Sequence, residues 1–273
     1  MSSGSYMSRR NTPLFIYAIL CLAFLYVPVM FLPLFSFNDS QYIAFPIKGF
    51  TLRWYEEMWH SGPMHQALWN SIKVAAVSAC LSTLLGIFAA KAFTRFRMPG
   101  SKPVIGIIML PLVIPEIILG TSLLILVNNI GLGLSLISVT MGHMLLSVPF
   151  AVAVLISRFE GFDKSIEEAS ADLGENAWGT FRRITLPLVF PGVLSSFLLC
   201  FVISFDEFII AFFLAGSEPT LPVFMYSQMR FPQRLPGVLA MGAAILMVSF
   251  IVISFAEWVR RRGSYGGQAD TGL

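Results

Sequence analysis

Charged residues are scarce in this sequence. Only 12% of its 273 residues are Asp, Glu, Lys or Arg, whereas 56% are hydrophobic and 25 are Phe. A soluble domain has about a quarter of its residues charged, so the composition excludes a soluble globular protein. The few charges are also clustered, and they are too few to cover a second, soluble domain. We therefore predict an integral membrane protein.

Cysteine and histidine are also rare. The three cysteines lie in apolar runs at Cys21, Cys80 and Cys200, which favours small buried side chains over a disulfide framework. The three histidines, among them His143, are scattered along the chain. This spacing argues against a metal site and against a membrane-embedded enzyme, which needs clustered His, Asp or Cys.

Motifs of nucleotide-binding and hydrolytic enzymes are absent as well. The sequence contains no G-x-x-x-x-G-K-[ST] phosphate loop, so this polypeptide is not expected to hydrolyse ATP by itself. It also lacks G-x-S-x-G and H-E-x-x-H. We predict no catalytic residue, no metal ligand and no cofactor bound by this chain.

Long hydrophobic runs dominate the rest of the chain. A membrane helix takes about 20 largely apolar residues, and six runs meet this length: 13–35, 69–94, 103–128, 134–157, 188–215 and 236–258. The first is too long for the apolar part of a signal peptide, so we interpret it as a retained anchor. Pro28 and Pro33 are expected to kink it or end it early. The sequence thus predicts an all-α transmembrane domain over residues 13–258, with terminal segments 1–12 and 259–273.

The basic residues predict the orientation of these helices. With a cytoplasmic N-terminus, thirteen fall on the inside: Arg9, Arg10, Lys91, Arg95, Arg97, Lys102, Arg158, Lys164, Arg182, Arg183, Arg260, Arg261 and Arg262. Only four fall outside: Lys48, Arg53, Arg230 and Arg234. Cytoplasmic loops carry the excess of Lys and Arg, so both termini and the loop 158–187 are predicted to be cytoplasmic.

The loop 158–187 carries helix signals of its own. Asp163 is suited to cap the start of a helix, because its carboxylate can accept from the first free backbone N–H groups. Gly174 is suited to end that helix with a positive φ, and Pro187 marks the return to apolar sequence. A solvated connecting loop with one amphipathic helix is the simplest interpretation.

The spacing of residues in this loop supports a more specific interpretation. Glu168-Ala169-Ser170 is followed by Gly174 and then by Ile184, Leu186 and Pro187. This pattern resembles the EAA loop of bacterial ABC importer permeases, with Ser170 in place of the usual Ala. The resemblance implies a cytoplasmic coupling helix that sits in a groove of the ATPase subunit. Its contact residues would be Glu167, Glu168, Ala169, Ser170, Asp172, Leu173, Gly174, Ile184, Leu186 and Pro187.

Three carboxylates fall inside predicted spans, where ionisable groups are costly and are candidates for function. Glu116 lies in the third span, and Asp206 and Glu207 lie in the fifth. Adjacent helical residues point about 100° apart, so only one of Asp206 and Glu207 is expected to face a pathway fully, and we favour Asp206. Pro111, Pro115 and Gly120 are expected to interrupt the third span. Structural pairing, or polarity at a dimer seam, is the alternative role of these acids.

Beyond the loop, the resemblance covers nearly the whole chain. The stretches PLVIPEIILG, ITLPLVFPG and SFDEFIIAFFLAG resemble the spermidine/putrescine branch of type I ABC importer permeases, and most closely its second permease subunit. This implies a type I (MetI-like) permease of six transmembrane helices with a cytoplasmic coupling helix. The net negative charge of the three acids suits a cationic solute. The alternative cargo is an amino acid derivative such as an opine or γ-aminobutyrate.

The resemblance also implies an assembly. Its other members would be a homologous permease, two cytoplasmic ATPases that use ATP and Mg, and an external solute-binding protein, all at the bacterial cytoplasmic (inner) membrane and without nucleic acid. A secondary transporter or an ion channel would also contain intramembrane acids, but it would have no use for an ATPase-docking loop.

Overall fold

The chain is built almost entirely of helices. A computed structural model describes residues 12–40, 46–96, 100–161 and 163–264. Arg9, Arg10, Arg97 and the end of the tail lie outside these residues, so the predictions made for them are not addressed by the structure. The α-helices of the described residues are α1 (Thr12–Ser36), α2 (Arg53–Trp59), α3 (Gly62–Arg95), α4 (Ser101–Met109), α5 (Glu116–Asn129), α6 (Leu136–Glu160), α7 (Lys164–Asp172), α8 (Ala177–Thr180), α9 (Leu186–Asp206), α10 (Ile209–Leu214), α11 (Leu221–Met229) and α12 (Leu235–Ser264).

Four of the six predicted spans correspond to continuous apolar helices in the described residues. These are Leu14–Ser36, Gly62–Arg95, Leu136–Glu160 and Ala177–Asp206. The third predicted span corresponds to a pair of helices joined by a sharp bend, and the sixth falls within α12. The first helix runs through Pro28 and Pro33 to Ser36, so these prolines do not end it early, and the alternative expectation of a kink stays a prediction.

The third predicted span is interrupted, as its prolines indicate. Helix α4 ends in a short 3₁₀ turn, Leu110–Leu112, that includes Pro111. Pro115 then has ψ 131° and caps the start of α5, so the axis bends by 96° between Ser101–Leu112 and Glu116–Asn129. Proline has no N–H to donate and its ring clashes with the preceding turn. The predicted interruption is confirmed for Pro111 and Pro115, whereas Gly120 lies inside α5 and does not interrupt it.

The fifth predicted span does not run to residue 215. Helix α9 ends at Asp206, Glu207 is extended with ψ 119°, and α10 starts at Ile209. The prediction of a continuous helix over 188–215 is wrong. No Gly or Pro lies between Cys200 and Ala215, so no helix-breaking residue in this stretch predicts the interruption.

The structure divides into two compact units, one formed by the residues up to Ser61 together with those from Ser227 onward, and one formed by Gly62–Tyr226. In the first unit, the Tyr55 hydroxyl lies 2.6 Å from Ser36 Oγ and the Trp54 indole donates to the Asn38 carbonyl at 2.9 Å. These bonds fix α2 against the end of α1.

The second unit is organised around α3, α6 and α9, which pack directly on one another. Small side chains line their contacts; for example, a Cβ added at Gly86 would lie 2.9 Å from Ala151 Cβ. Small residues let helix backbones approach closely where lipid provides no hydrophobic driving force between helices. This three-helix core positions the loop 158–187, called the coupling loop below, at one end, and it also positions the acids discussed below.

Candidate functional site

The coupling loop begins with the predicted helix α7. Asp163 Oδ1 accepts a hydrogen bond from the backbone N–H of Ser165 at 2.9 Å. The backbone and side-chain hydrogen bonds from Ser165 hold the pKa of the Asp163 carboxyl below its ordinary value. The prediction that Asp163 caps this helix is confirmed, and the negative charge lies at the positive end of the helix dipole.

The same helix ends as predicted at Gly174. Its φ is +85°, a conformation that costs a residue with a Cβ about 1–2 kcal/mol. The N–H of Gly174 donates to the Ala171 carbonyl at 2.9 Å, and the N–H of Glu175 donates to the Ser170 carbonyl at 3.2 Å. This pair of bonds is the Schellman motif. It turns the chain sharply into Asn176, which caps α8 through a bond from the Gly179 N–H at 2.8 Å.

The two adjacent glutamates of α7 face different surroundings. Glu167 points into its own chain, where Arg95 Nε lies 2.5 Å from one carboxylate oxygen and Thr185 Oγ1 donates to the other at 2.5 Å. The Arg95 and Glu167 side chains are only 9% and 13% exposed. Glu168 is 61% exposed and pairs with Lys164. Glu167 therefore ties α7 to the end of α3 and to the segment that precedes α9, whereas Glu168 is accessible to a partner.

Ser170 makes a second tie within the loop. Its Oγ lies 3.0 Å from Thr180 Oγ1, and both residues are buried. The bond joins α7 to α8. An alanine, the usual residue at this position of the EAA pattern, has no hydroxyl to form it.

A π-helical turn, Phe181–Thr185, connects α8 to α9. Ile184 lies in this turn, and Leu186 and Pro187 form the first two residues of α9. Pro187 has no N–H for the Arg183 carbonyl, and its ring would clash with that carbonyl in a regular α-turn. The wider turn relieves this conflict. The motif residues Ile184 and Leu186 are half-buried and Pro187 is exposed, and all three lie where the loop joins α9.

Large apolar side chains are exposed on the polar coupling loop. Leu173 is 90% exposed and Trp178 is 67% exposed, with the Trp178 ring stacked on Phe181 at 5.8 Å. Ala169, Asp172 and Gly174 are exposed too. Trp178 was missed by the sequence analysis, although an isolated Trp in a polar loop is a detectable signal.

Basic residues predicted to lie on one side of the membrane meet at the coupling loop. Arg158, near the end of α6, donates to the Leu188 carbonyl at 2.9 Å. Its stem crosses α9 at Gly192, where an added Cβ would lie 2.5 Å from Arg158 Cγ. Lys91 Nζ lies 4.5 Å from the centre of the Phe181 ring. The ends of α3 and α6 and the start of α9 therefore share one end of the unit with α7 and α8.

The three acids all lie at helix breaks. Glu116 is the first residue of α5, directly after the bend, and Asp206 and Glu207 occupy the break between α9 and α10. Glu116 and Asp206 are exposed on this chain, whereas Glu207 is only 8% exposed. We expected Asp206 and Glu207 to face different surroundings because adjacent residues of one helix point in different directions. Their surroundings do differ, but helical geometry is not the reason, because the helix ends between them.

Glu207 is partly engaged within the chain. Its Oε1 accepts from the Ile210 N–H at 2.9 Å, while Oε2 is buried with no hydrogen-bond partner among the described residues. Ile210 and Leu119 belong to the same buried cluster, and each lies three residues after an acid, Glu207 and Glu116 respectively. The acids of two spans thus lie beside the same buried cluster.

A family model matches most of the chain. It is described as "Binding-protein-dependent transport system inner membrane component", and the match covers residues 82–265. This range includes the coupling loop and all three acids.

Relatives match over an even longer stretch. The spermidine/putrescine transport system permease protein PotC of Haemophilus influenzae is 31% identical over 95% of this chain and 100% of its own length. PotC of Escherichia coli K12 is 32% identical, over 91% of this chain and 94% of its own. The putrescine transport system permease protein PotI of E. coli K12 is also 32% identical, over 88% and 87%.

A solved structure has the same fold. A chain from the crystal structure of a bacterial ABC transporter that imports the acidic polysaccharide alginate superimposes with a TM-score of 0.67, covering 94% of this chain and 98% of that one. The sequence identity is 18%, so this likeness shows the fold alone.

Proposed function

This chain belongs to the family of binding-protein-dependent transport system inner membrane components, as a permease subunit of an ABC importer, and we propose that its cargo is a polyamine, spermidine or putrescine. It is a multi-pass protein of the inner membrane. It forms half of the translocation pathway, and the other half comes from a related permease.

The acids at the helix breaks carry the proposal for a cationic cargo. Polyamines bear several ammonium groups, each of which donates hydrogen bonds and needs acceptors of opposite charge inside the membrane. Asp206 and Glu116 are exposed, and Glu207 keeps one carboxylate oxygen without a partner in the described chain. The polyamine permeases among the relatives support the same cargo. Binding at such sites has to stay weak enough for release.

The remaining partners are inferred from the coupling loop. Its exposed residues Leu173 and Trp178 suit a groove on a cytoplasmic ATPase, which hydrolyses ATP with Mg while this chain binds neither. The basic ends of α3 and α6 beside the loop support a cytoplasmic position of the loop and of both termini. An external binding protein would deliver the cargo to the opposite side.

Movement of the ATPases would be transmitted to the membrane helices through the side-chain contacts that Glu167 and Ser170 of α7 make with neighbouring segments. The Glu167 carboxylate joins α7 to Arg95 of α3 and to Thr185 before α9, and Ser170 joins it to Thr180. These bonds make the loop move as one body with the ends of two spans. Such a rigid-body shift would alternate access to the acids between the two sides.

The cargo proposal is tested by neutralising the acids. In a complex reconstituted with its binding protein, Asp206→Asn should lower spermidine and putrescine uptake by about tenfold or more, which corresponds to ~1.4 kcal/mol. Glu207→Gln should also lower uptake, although Gln can still accept from the Ile210 N–H. The measurement is the initial uptake rate into proteoliposomes at saturating binding protein, compared with ATP hydrolysis.

Glu218→Gln provides the matched control, since Glu218 is an exposed acid of the same unit in the turn between α10 and α11, outside the two breaks that hold Glu116, Asp206 and Glu207. It should leave uptake unchanged. If both Asp206→Asn and Glu207→Gln assemble and import polyamines normally, the acids have a structural role and the cation pathway is wrong.

The proposed assembly has its own test. Purified alone, this chain should show no ATPase activity, because it lacks a phosphate loop. Co-expression with its companions should yield a complex with one copy of this chain and one of a related permease, counted by native mass spectrometry. A transport-active homodimer would contradict the polyamine-branch assignment, but not membership of the family.

A further inference from the structure

Three helices meet at a chain of buried polar side chains. Oγ of Ser204 on α9 lies 2.7 Å from Nδ1 of His143 on α6, and the hydroxyl of Ser78 on α3 donates to the same Ser204 oxygen at 2.8 Å. All three residues are buried, with exposures of 3%, 1% and 0%. His143 Nε2 has no hydrogen-bond partner among the described residues, so this imidazole depends on its contact with Ser204.

Ser204 lies directly before the break that carries the acids. Only Phe205 separates it from Asp206, the last residue of α9, and Glu207 follows in extended conformation. Since the sequence around the break contains neither Gly nor Pro, tertiary contacts have to fix where α9 ends. The bonds to Ser204 anchor its last turn, and the bond from the Ile210 N–H to Glu207 anchors the other side of the break.

The anchor also fixes the rotation of the last turn. A buried hydroxyl or imidazole without a partner costs free energy, and inside a membrane no water replaces the lost bond. Rotating α9 by one residue, about 100°, would withdraw Ser204 from both His143 and Ser78. The two contacts of Ser204 therefore form at one register of α9, and that register sets the directions of Asp206 and Glu207.

We propose that Ser204, held by His143 and Ser78, is a positioning residue that sets the geometry of the acidic site and thereby its discrimination between cations of different length. This inference rests on the proposed function. Ser204 does not touch the solute. It acts through the two residues that follow it closely along the chain.

The experiment compares two cations in one assembly. Initial uptake rates of spermidine and putrescine are measured at saturating binding protein in proteoliposomes, for the wild type and for Ser204→Ala. We expect the ratio of the two rates to change by about three- to tenfold, the range that loss of one hydrogen bond produces. His143→Asn should shift the ratio in the same direction, and the double variant should add little, because both changes break one contact.

Ser196→Ala is the matched control. Ser196 is a fully buried serine two turns earlier on the same face of α9, and its Oγ lies at the longer distance of 3.5 Å from Thr83 Oγ1. This variant should leave the ratio unchanged. Ser204→Thr keeps the hydroxyl and should restore the wild-type ratio.

A second readout does not depend on the cargo. Hydrogen–deuterium exchange of the backbone over 205–210 should be faster in Ser204→Ala than in Ser196→Ala. Unchanged exchange and an unchanged uptake ratio in Ser204→Ala overturn the inference, as does a proportional fall of both uptake rates. If Asp206→Asn alters the uptake ratio and Ser204→Ala does not, the inference about Ser204 is wrong but the acidic site stands. If neither Asp206→Asn nor Glu207→Gln has an effect, the acidic site itself is wrong.

Discussion

Replacing Gly174 by valine is expected to abolish solute uptake while the protein still inserts into the membrane. The φ of +85° at Gly174 excludes a β-branched side chain without strain. A Cβ at this position meets nothing within 4 Å, so the effect comes from the backbone and not from a steric clash. To relieve the strain, the chain has to give up the bonds that Gly174 and Glu175 donate to the last turn of α7.

Two variants separate this explanation from general damage. Gly174→Asn should retain much of the uptake, because Asn tolerates the left-handed conformation at a helix end. Gly131→Val places the same strain at a second glycine, with φ +73° and open space around its Cβ, but outside the coupling loop. It should retain uptake. Uptake by vesicles and quantification of the chain in the membrane decide the matter, and wild-type transport by Gly174→Val would remove the loop motif from the mechanism.

Neutralising Glu167 is expected to uncouple ATP hydrolysis from transport. Removing one partner of a buried ion pair costs about 3–5 kcal/mol, because the other charge is left uncompensated. In Glu167→Gln, the Arg95 guanidinium loses its carboxylate at 2.5 Å, while Gln can still accept from the Thr185 hydroxyl. The coupling helix α7 would then move without carrying the end of α3. Uptake per ATP hydrolysed should fall at least about tenfold.

The control for this change is a second ion pair of the same loop. Glu175 and Arg183 lie 3.0 Å apart, but their side chains are 31% and 74% exposed, and exposed pairs contribute about 0–1 kcal/mol. Glu175→Gln should therefore keep the coupling ratio of the wild type. The swap of Glu167→Arg with Arg95→Glu should recover part of the ratio lost in either single variant. Normal coupling in both Glu167→Gln and Arg95→Gln would show that this pair transmits nothing.

Features set by local chemistry could be predicted from the sequence. Asp163, Gly174 and Pro115 act through their own backbone geometry or their nearest N–H groups, so the cap, the turn and the bend follow from residue type and position. The helical class and most of the spans follow from the long apolar runs.

Features set by distant partners could not be predicted. Nothing in the order Glu167–Glu168 tells which glutamate faces inward, because the deciding residue, Arg95, lies 72 positions away. The end of α9 at Asp206 has no local breaker, and the contacts that hold it come from His143, 61 positions from Ser204, and from Ser78. The break, and with it the separate surroundings of Asp206 and Glu207, arise only once three helices have packed.

The π turn at Phe181–Thr185 has a consequence for the design of chimaeric permeases. Such a turn amounts to a one-residue insertion in an otherwise regular helix. Deleting one residue would rotate the coupling loop by about 100° relative to α9 without altering hydropathy or composition. The number of residues between Gly174 and Pro187 therefore determines the orientation of the coupling loop about the α9 axis, independently of its side chains. Chimaeras between two permeases should be joined outside this interval, and grafts within it should match residue for residue in length.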